Sequence, residues 1–109
     1  MKHWLRDALD ACQILRSLVE GLEFDEYATN VTVKGAVQWY LTTLGEALSQ
    51  ARALDDDLVE LLPELPKVVG MRNRLVHGYW TISDKTVWDA VSENVPGLQA
   101  RLAALLDDA

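Results

Sequence analysis

The chain has 109 residues, half of them hydrophobic, with a formal net charge of −7 and a single cysteine. This length and apolar fraction suffice for one packed core without disulfides or a structural metal. The acidic balance disfavours a surface that grips nucleic acid non-specifically, because such a surface needs many lysines and arginines. No apolar run approaches the roughly 20 residues that span a bilayer, and the charged N-terminal segment does not resemble a signal peptide. We therefore expect one domain over residues 1–109 in a cytoplasmic protein, with no membrane contact.

The cysteine and the two histidines do not form a metal-binding pattern. Cys12 cannot form an intrachain disulfide, and its place on an apolar stripe predicts a buried small hydrophobe. His3 and His77 are far apart in the sequence and share no helical ligand spacing with each other. The sequence predicts neither a metal site nor a cofactor.

Hydrophobic residues recur every three or four positions along most of the chain, which is typical of helices with one buried face. The first stripe begins at Leu5, and Gly21 is expected to end its helix. Residues 24–30 lack the period and predict an irregular segment, with Phe24 and Tyr27 packed against the bundle. The expected helices cover residues 2–21, 34–53, 55–62, 66–77 and 84–107. Since no segment alternates with a period of two, we expect an all-α fold, an antiparallel bundle of four or five helices.

Several residues mark the ends of the later helices. Asp55–Asp57 offers N-caps for the third helix, and Pro66 suits the first turn of the fourth. Gly78 is expected to end the fourth helix in a left-handed conformation. A cap in Ser83–Asp84 should begin the last helix, which is expected to kink at Pro96.

An arginine interrupts the apolar stripe of the fourth helix. Arg72 occupies the position where the next apolar residue belongs in a stripe made of Leu65, Val68, Val69, Leu75 and Val76. A guanidinium on a core-facing stripe is unfavourable unless it is paired or faces a polar cleft. It either pairs with an acidic group on a neighbouring helix or holds a phosphate by charge-assisted hydrogen bonds.

The residues that follow Arg72 include a proton-transfer group. His77 can move a proton near neutral pH, although a histidine at the end of a helix often only caps it. It lies five residues after Arg72, about 140° round an ideal helix, so the two share a cleft only if the last turn distorts. Tyr79 follows the predicted helix end, and an isolated tyrosine there is most simply a half-buried aromatic beside Trp80.

The segment 72–79, Arg-Asn-Arg-Leu-Val-His-Gly-Tyr, resembles the R-x4-H-x-Y signature of HepT-like toxins of the HEPN superfamily. The Gly45-Glu46-Ala47 stretch, the lead-in Gly70-Met71 and the late Trp88 resemble other parts of that family in the same order. The likeness extends over nearly the whole chain. Many relatives carry aspartate where this sequence has Gly78.

This resemblance implies a HEPN-like bundle and a metal-independent endoribonuclease that acts as a homodimer, with the two motifs facing one cleft. It implies Arg72, Asn73 and His77 as catalytic residues, RNA as the substrate, and no cofactor or metal. It also implies a toxin whose partner is a small nucleotidyltransferase antitoxin, which adenylylates Tyr79. The alternative is a non-catalytic subunit that serves the nucleotidyltransferase as partner or substrate-binding module, and the acidity of the chain suits such a protein–protein role.

Overall fold

The computed structural model describes residues 1–78 and 82–107, and this part of the chain is helical without a strand. The helices in chain order are α1 (Lys2–Val19), α2 (Phe24–Ala28), α3 (Val31–Leu54), α4 (Leu58–Leu61), α5 (Leu65–His77), α6 (Asp84–Asp89) and α7 (Val95–Asp107). A π-helical turn, Ala90–Asn94, joins α6 to α7. The predicted all-α bundle is confirmed. Among the described residues, every helix is too short or too polar to span a bilayer.

The core is built from one stripe of each long helix. α3 packs against α1 on one side and against α5 on the other, and α1 also contacts α7. The fully buried side chains of the core include Leu15, Leu41, Leu44, Leu48, Leu65, Leu98 and Leu102. Cys12 is buried as predicted, and this burial raises the pKa of its thiol to about 12, so the thiol stays protonated and unreactive.

The segment after α1 differs in part from the prediction. Gly21 has a φ of 77°, a left-handed conformation that suits glycine and ends the helical segment as expected. The prediction of an irregular segment over 24–30 was wrong for α2, which begins with a reciprocal cap. Glu26 Oε1 accepts the Glu23 N–H at 2.8 Å, and the Glu23 side chain accepts a backbone N–H of the first turn in return. Tyr27 is buried and Phe24 half-buried, as predicted.

The two helices that follow also begin at positions other than those expected. α3 begins at Val31 rather than near residue 34, because Asn30 Oδ1 accepts the Val33 N–H at 3.0 Å and caps the first turn. α4 is only one turn long and begins after Asp57, whose side chain makes no capping bond. Asp55 instead accepts the Asp57 N–H at 3.0 Å and forms a local turn.

The last helices contain one feature that periodicity did not predict. Ser83 caps α6 by accepting the Thr86 N–H at 3.1 Å, as expected. The expected single helix with a kink at Pro96 instead contains the π-helical turn over Ala90–Asn94, just before that proline. Because Pro96 has no N–H to donate four residues back, the regular ladder is interrupted at this point, and the wider turn carries the chain past the interruption.

Gly45 allows α3 and α5 to approach closely. It is buried, and a Cβ placed on it would overlap the Cβ of Arg72 and lie 2.8 Å from its Cγ. The same Cβ would lie 3.3 Å from the carbonyl oxygen of Val68. The absence of a side chain at position 45 therefore fixes how near the Arg72 stem lies to α3.

We predict that Gly45→Ala destabilises the protein, because the methyl group must push α5 away from α3. Overpacking of this kind costs about 1–3 kcal/mol, which exceeds the helix-propensity gain of roughly 1 kcal/mol from alanine. Gly35→Ala on the same helix is the matched control, because nothing lies within 4 Å of its Cβ position. Urea unfolding should show the control stabilised and Gly45→Ala destabilised. Equal stabilisation of both variants would contradict the close contact.

Candidate active site

Arg72 lies on α5 at the contact with α3, and its side chain is only 19% exposed. The guanidinium Nη2 lies 3.3 Å from Glu46 Oε2, so the arginine pairs with an acidic group of a neighbouring helix. Its Nε is buried and has no hydrogen-bond partner. The arginine therefore keeps N–H groups that Glu46 does not engage, since a guanidinium has five of them. The predicted position of Arg72 on the inner stripe is confirmed.

The buried part of the α5 stripe ends earlier than predicted. Val76 is 49% exposed, so its assignment to the buried face was wrong, whereas Met71 is buried at 4%. Leu75 is half-buried. Past Arg72, α5 therefore turns an apolar residue toward the surface close to the motif histidine.

His77 and Asn73 both have exposed side chains, on the same helix as Arg72. His77 is the last residue of α5, and the Gly78 N–H closes the final turn by donating to the Arg74 carbonyl at 2.7 Å. Gly78 ends the helix as expected, but its φ of −157° is not left-handed, so that part of the prediction was wrong. Because the last turn stays regular, His77 remains about 140° round the axis from Arg72.

The described part of one chain does not join these side chains into a single site. No hydrogen bond or ion pair connects Arg72, Asn73 and His77 among the contacts of residues 1–78 and 82–107. Tyr79, the residue implied as the modification site, lies outside the described residues. Over those residues, no three histidine, cysteine, aspartate or glutamate side chains cluster in a way that could hold a metal ion.

Two residues near the motif were not singled out from the sequence. In the sequence Glu46, the partner of Arg72, stands out only as part of the Gly-Glu-Ala stretch, and the periodicity of α3 does not pair it with α5. Trp39 on α3 is 67% exposed, and it lines a shallow groove of about 310 Å³ with Leu75 and three other residues. The exposure of Trp39 can be predicted from the sequence only if the buried face of α3 is known.

The arrangement provides a fixed cation and an exposed proton-transfer group on one helix. Arg72 can stabilise a negatively charged phosphate, and His77 can accept or donate a proton to a group that reaches it from solvent. Lys67 and Arg74 are two further exposed basic residues of α5. These features suit a phosphodiester more than a neutral substrate.

Comparison with known proteins places the chain in a family. The model of the ribonuclease HepT-like family matches residues 8–105. A protein of Thermococcus cleftensis named as a probable ribonuclease HepT is 26% identical over 95% of this chain and 94% of its own length. A protein of Methanocaldococcus jannaschii that carries the name of an RNase is 30% identical over 91% of this chain and 90% of its own length. No solved structure matches the chain. Because the family model spans nearly all of the sequence, the chain belongs to the HepT-like ribonuclease family.

Proposed function

We propose that this protein is a metal-independent endoribonuclease and the toxin of a toxin–antitoxin pair. The observation that carries the proposal is the half-buried guanidinium of Arg72, held on the same helix as the exposed His77 in a chain of the HepT-like ribonuclease family. Asn73, adjacent to Arg72 and exposed, is proposed to orient the phosphate or the arginine. A purely structural subunit would not need the arginine and the histidine together.

The proposed reaction is attack by an RNA 2′-OH on its own 3′-phosphodiester. A base removes the 2′-OH proton, the 2′-oxygen forms a bond to phosphorus, and the bond from phosphorus to the 5′-oxygen breaks. An acid then protonates the leaving 5′-oxygen, which yields a 2′,3′-cyclic phosphate and a 5′-OH end. Arg72 stabilises the charge that builds up on the phosphate oxygens. Each step needs only proton transfer and charge stabilisation, which protein side chains can provide.

A two-fold dimer is proposed to complete the site. The regular last turn of α5 keeps His77 away from Arg72 within one chain, and each chain offers one histidine in the motif. Two chains that face each other across this helix would supply both an acid and a base and would double the small basic surface. The exposed Val76 and the groove of Trp39 and Leu75 offer apolar contact area beside the motif.

Control of the toxin is proposed to act through Tyr79, with a small nucleotidyltransferase as the antitoxin. The Tyr79 hydroxyl would attack the α-phosphorus of ATP, form a bond to AMP and release pyrophosphate. The phosphate attached to Tyr79 is proposed to compete with RNA for Arg72 in the two-chain cleft. The adenosine would in addition fill the cleft.

We predict that His77→Ala and Arg72→Ala each abolish RNA cleavage without loss of helical content. General acid–base assistance contributes about 10²- to 10⁴-fold, so the loss of His77 should be visible in any cleavage assay. Wild-type cleavage should persist in EDTA and leave 2′,3′-cyclic phosphate ends, which mass spectrometry detects. Full activity of His77→Ala, or loss of wild-type activity on chelation, would refute the assignment.

His3→Ala is the control for this experiment, because it removes the other histidine, which is exposed on α1. It should leave cleavage unchanged. Sedimentation equilibrium at micromolar concentration should give twice the chain mass of 12.2 kDa for the wild type and both inactive variants. A wild-type protein that is monomeric and cleaves RNA would overturn the two-chain cleft. A wild-type protein with no RNA-cleaving activity would favour the alternative of a non-catalytic subunit.

We predict that the cognate nucleotidyltransferase and ATP add AMP to Tyr79 and silence the RNase. Tyr79→Phe should keep at least part of the cleavage activity and take up no label, since it lacks the hydroxyl that attacks ATP. Tyr40→Phe on α3 is the matched control and should be labelled and inhibited like the wild type. AMP found on another residue by mass spectrometry, or full inhibition of Tyr79→Phe, would disprove this mode of control.

A further inference from the structure

Arg72 needs a counter-charge where it lies. Its stem packs on Gly45, its side chain is 19% exposed, and its Nε is buried without a partner. A cation that has lost most of its water is unfavourable unless an opposite charge compensates it. Within the described residues, the acidic group paired with it is Glu46, at 3.3 Å.

The carboxylate of Glu46 is itself held in place from its other side. Gln50, one turn later on α3, donates from Nε2 to Glu46 Oε1 at 2.8 Å. The second oxygen, Oε2, faces the Arg72 guanidinium. The contacts therefore form a chain from Gln50 through Glu46 to Arg72, and Gly45 keeps the two helices close enough for this chain to close.

We propose that Glu46 is a positioning residue for the RNA cleavage proposed above, on which this inference rests. Glu46 engages one edge of the guanidinium at Nη2 and leaves the N–H groups of Nη1 for the phosphate. The arginine side chain has several rotatable bonds, and without this anchor its guanidinium would sample many orientations. Phosphate recognition by arginine depends on a fixed, planar geometry, so the anchor matters most when charge builds up in the transition state.

A second role for Glu46 would predict the opposite effect. Its side chain is 47% exposed, so its negative charge also faces any phosphate that approaches Arg72. If repulsion were its main effect, its removal would speed cleavage and tighten RNA binding. If positioning is its main effect, its removal lowers kcat while KM stays the same or falls, because one negative charge has gone. The two roles are therefore separable by the sign of the change in kcat.

The test compares kcat and KM of Glu46→Ala and Glu46→Gln with those of the wild type on one RNA. Both variants lose the charge, but glutamine retains an oxygen that can accept from Arg72. We expect Glu46→Ala to lose about 10- to 100-fold in kcat, the loss associated with misplacing a reacting group by about 1 Å. Glu46→Gln should recover a clear part of that loss, and KM should not rise in either variant.

The control is Asp89→Asn, which also removes one negative charge and one ion pair, the 2.9 Å contact with Lys85 on α6. It should leave kcat unchanged. The Nε–H signal of Arg72 in ¹⁵N-correlated NMR should broaden or shift in Glu46→Ala and stay near its wild-type position in Glu46→Gln, which reports positioning without reference to catalysis.

Three results would overturn the inference: kcat of Glu46→Ala at or above wild type, equal losses in the alanine and glutamine variants, or a loss confined to KM. A wild type whose cleavage does not depend on His77 would overturn the proposed function and this inference with it. If cleavage requires His77 but the Glu46→Ala variant cleaves like the wild type, the inference about Glu46 is wrong and the proposed function stands.

Discussion

The contact between Gly45 and the stem of Arg72 is the constraint on which the candidate site depends. It lets α5 lie against α3 with a charged residue on the packed face, a placement that otherwise destabilises a helical bundle. The charge is tolerated because Glu46, the next residue on α3, meets the guanidinium at 3.3 Å. The same short stretch of α3 thus supplies both the space for the arginine and its counter-charge.

This arrangement would let an acidic protein present the proposed phosphate site. The net charge of −7 disfavours broad contact with nucleic acid, so the proposed RNA recognition would depend on a few placed groups rather than on a basic surface. A half-buried arginine interacts more strongly with an anion than a solvated one, since little water screens it. The exposed His77 lies at the end of α5, where solvent reaches it, and the proposed second chain and RNA would meet it from that side.

Much of the fold was predictable from local patterns, but the partners of the key residues were not. The stripe of α5 predicted that Arg72 faces inward, and Pro66 and Ser83 marked helix ends correctly, because these signals depend on neighbours in sequence. The glutamate cap of α2 was missed because the usual signal is serine or threonine at that position. The pairing of Arg72 with Glu46 depends on the register between two helices, and periodicity within each helix does not determine it. The periodicity of α5 also predicted a buried Val76, although this side chain is exposed.

We propose that cleavage proceeds through the RNA 2′-OH with protein groups alone. The most direct test replaces the nucleotide on the 5′ side of a mapped cleavage site with its 2′-deoxy analogue and assays the wild type in EDTA. We expect this bond to stay intact while a ribonucleotide control of the same sequence is cut, and we expect the control to yield a 2′,3′-cyclic phosphate. Cleavage of the 2′-deoxy substrate at the same bond and rate would contradict it.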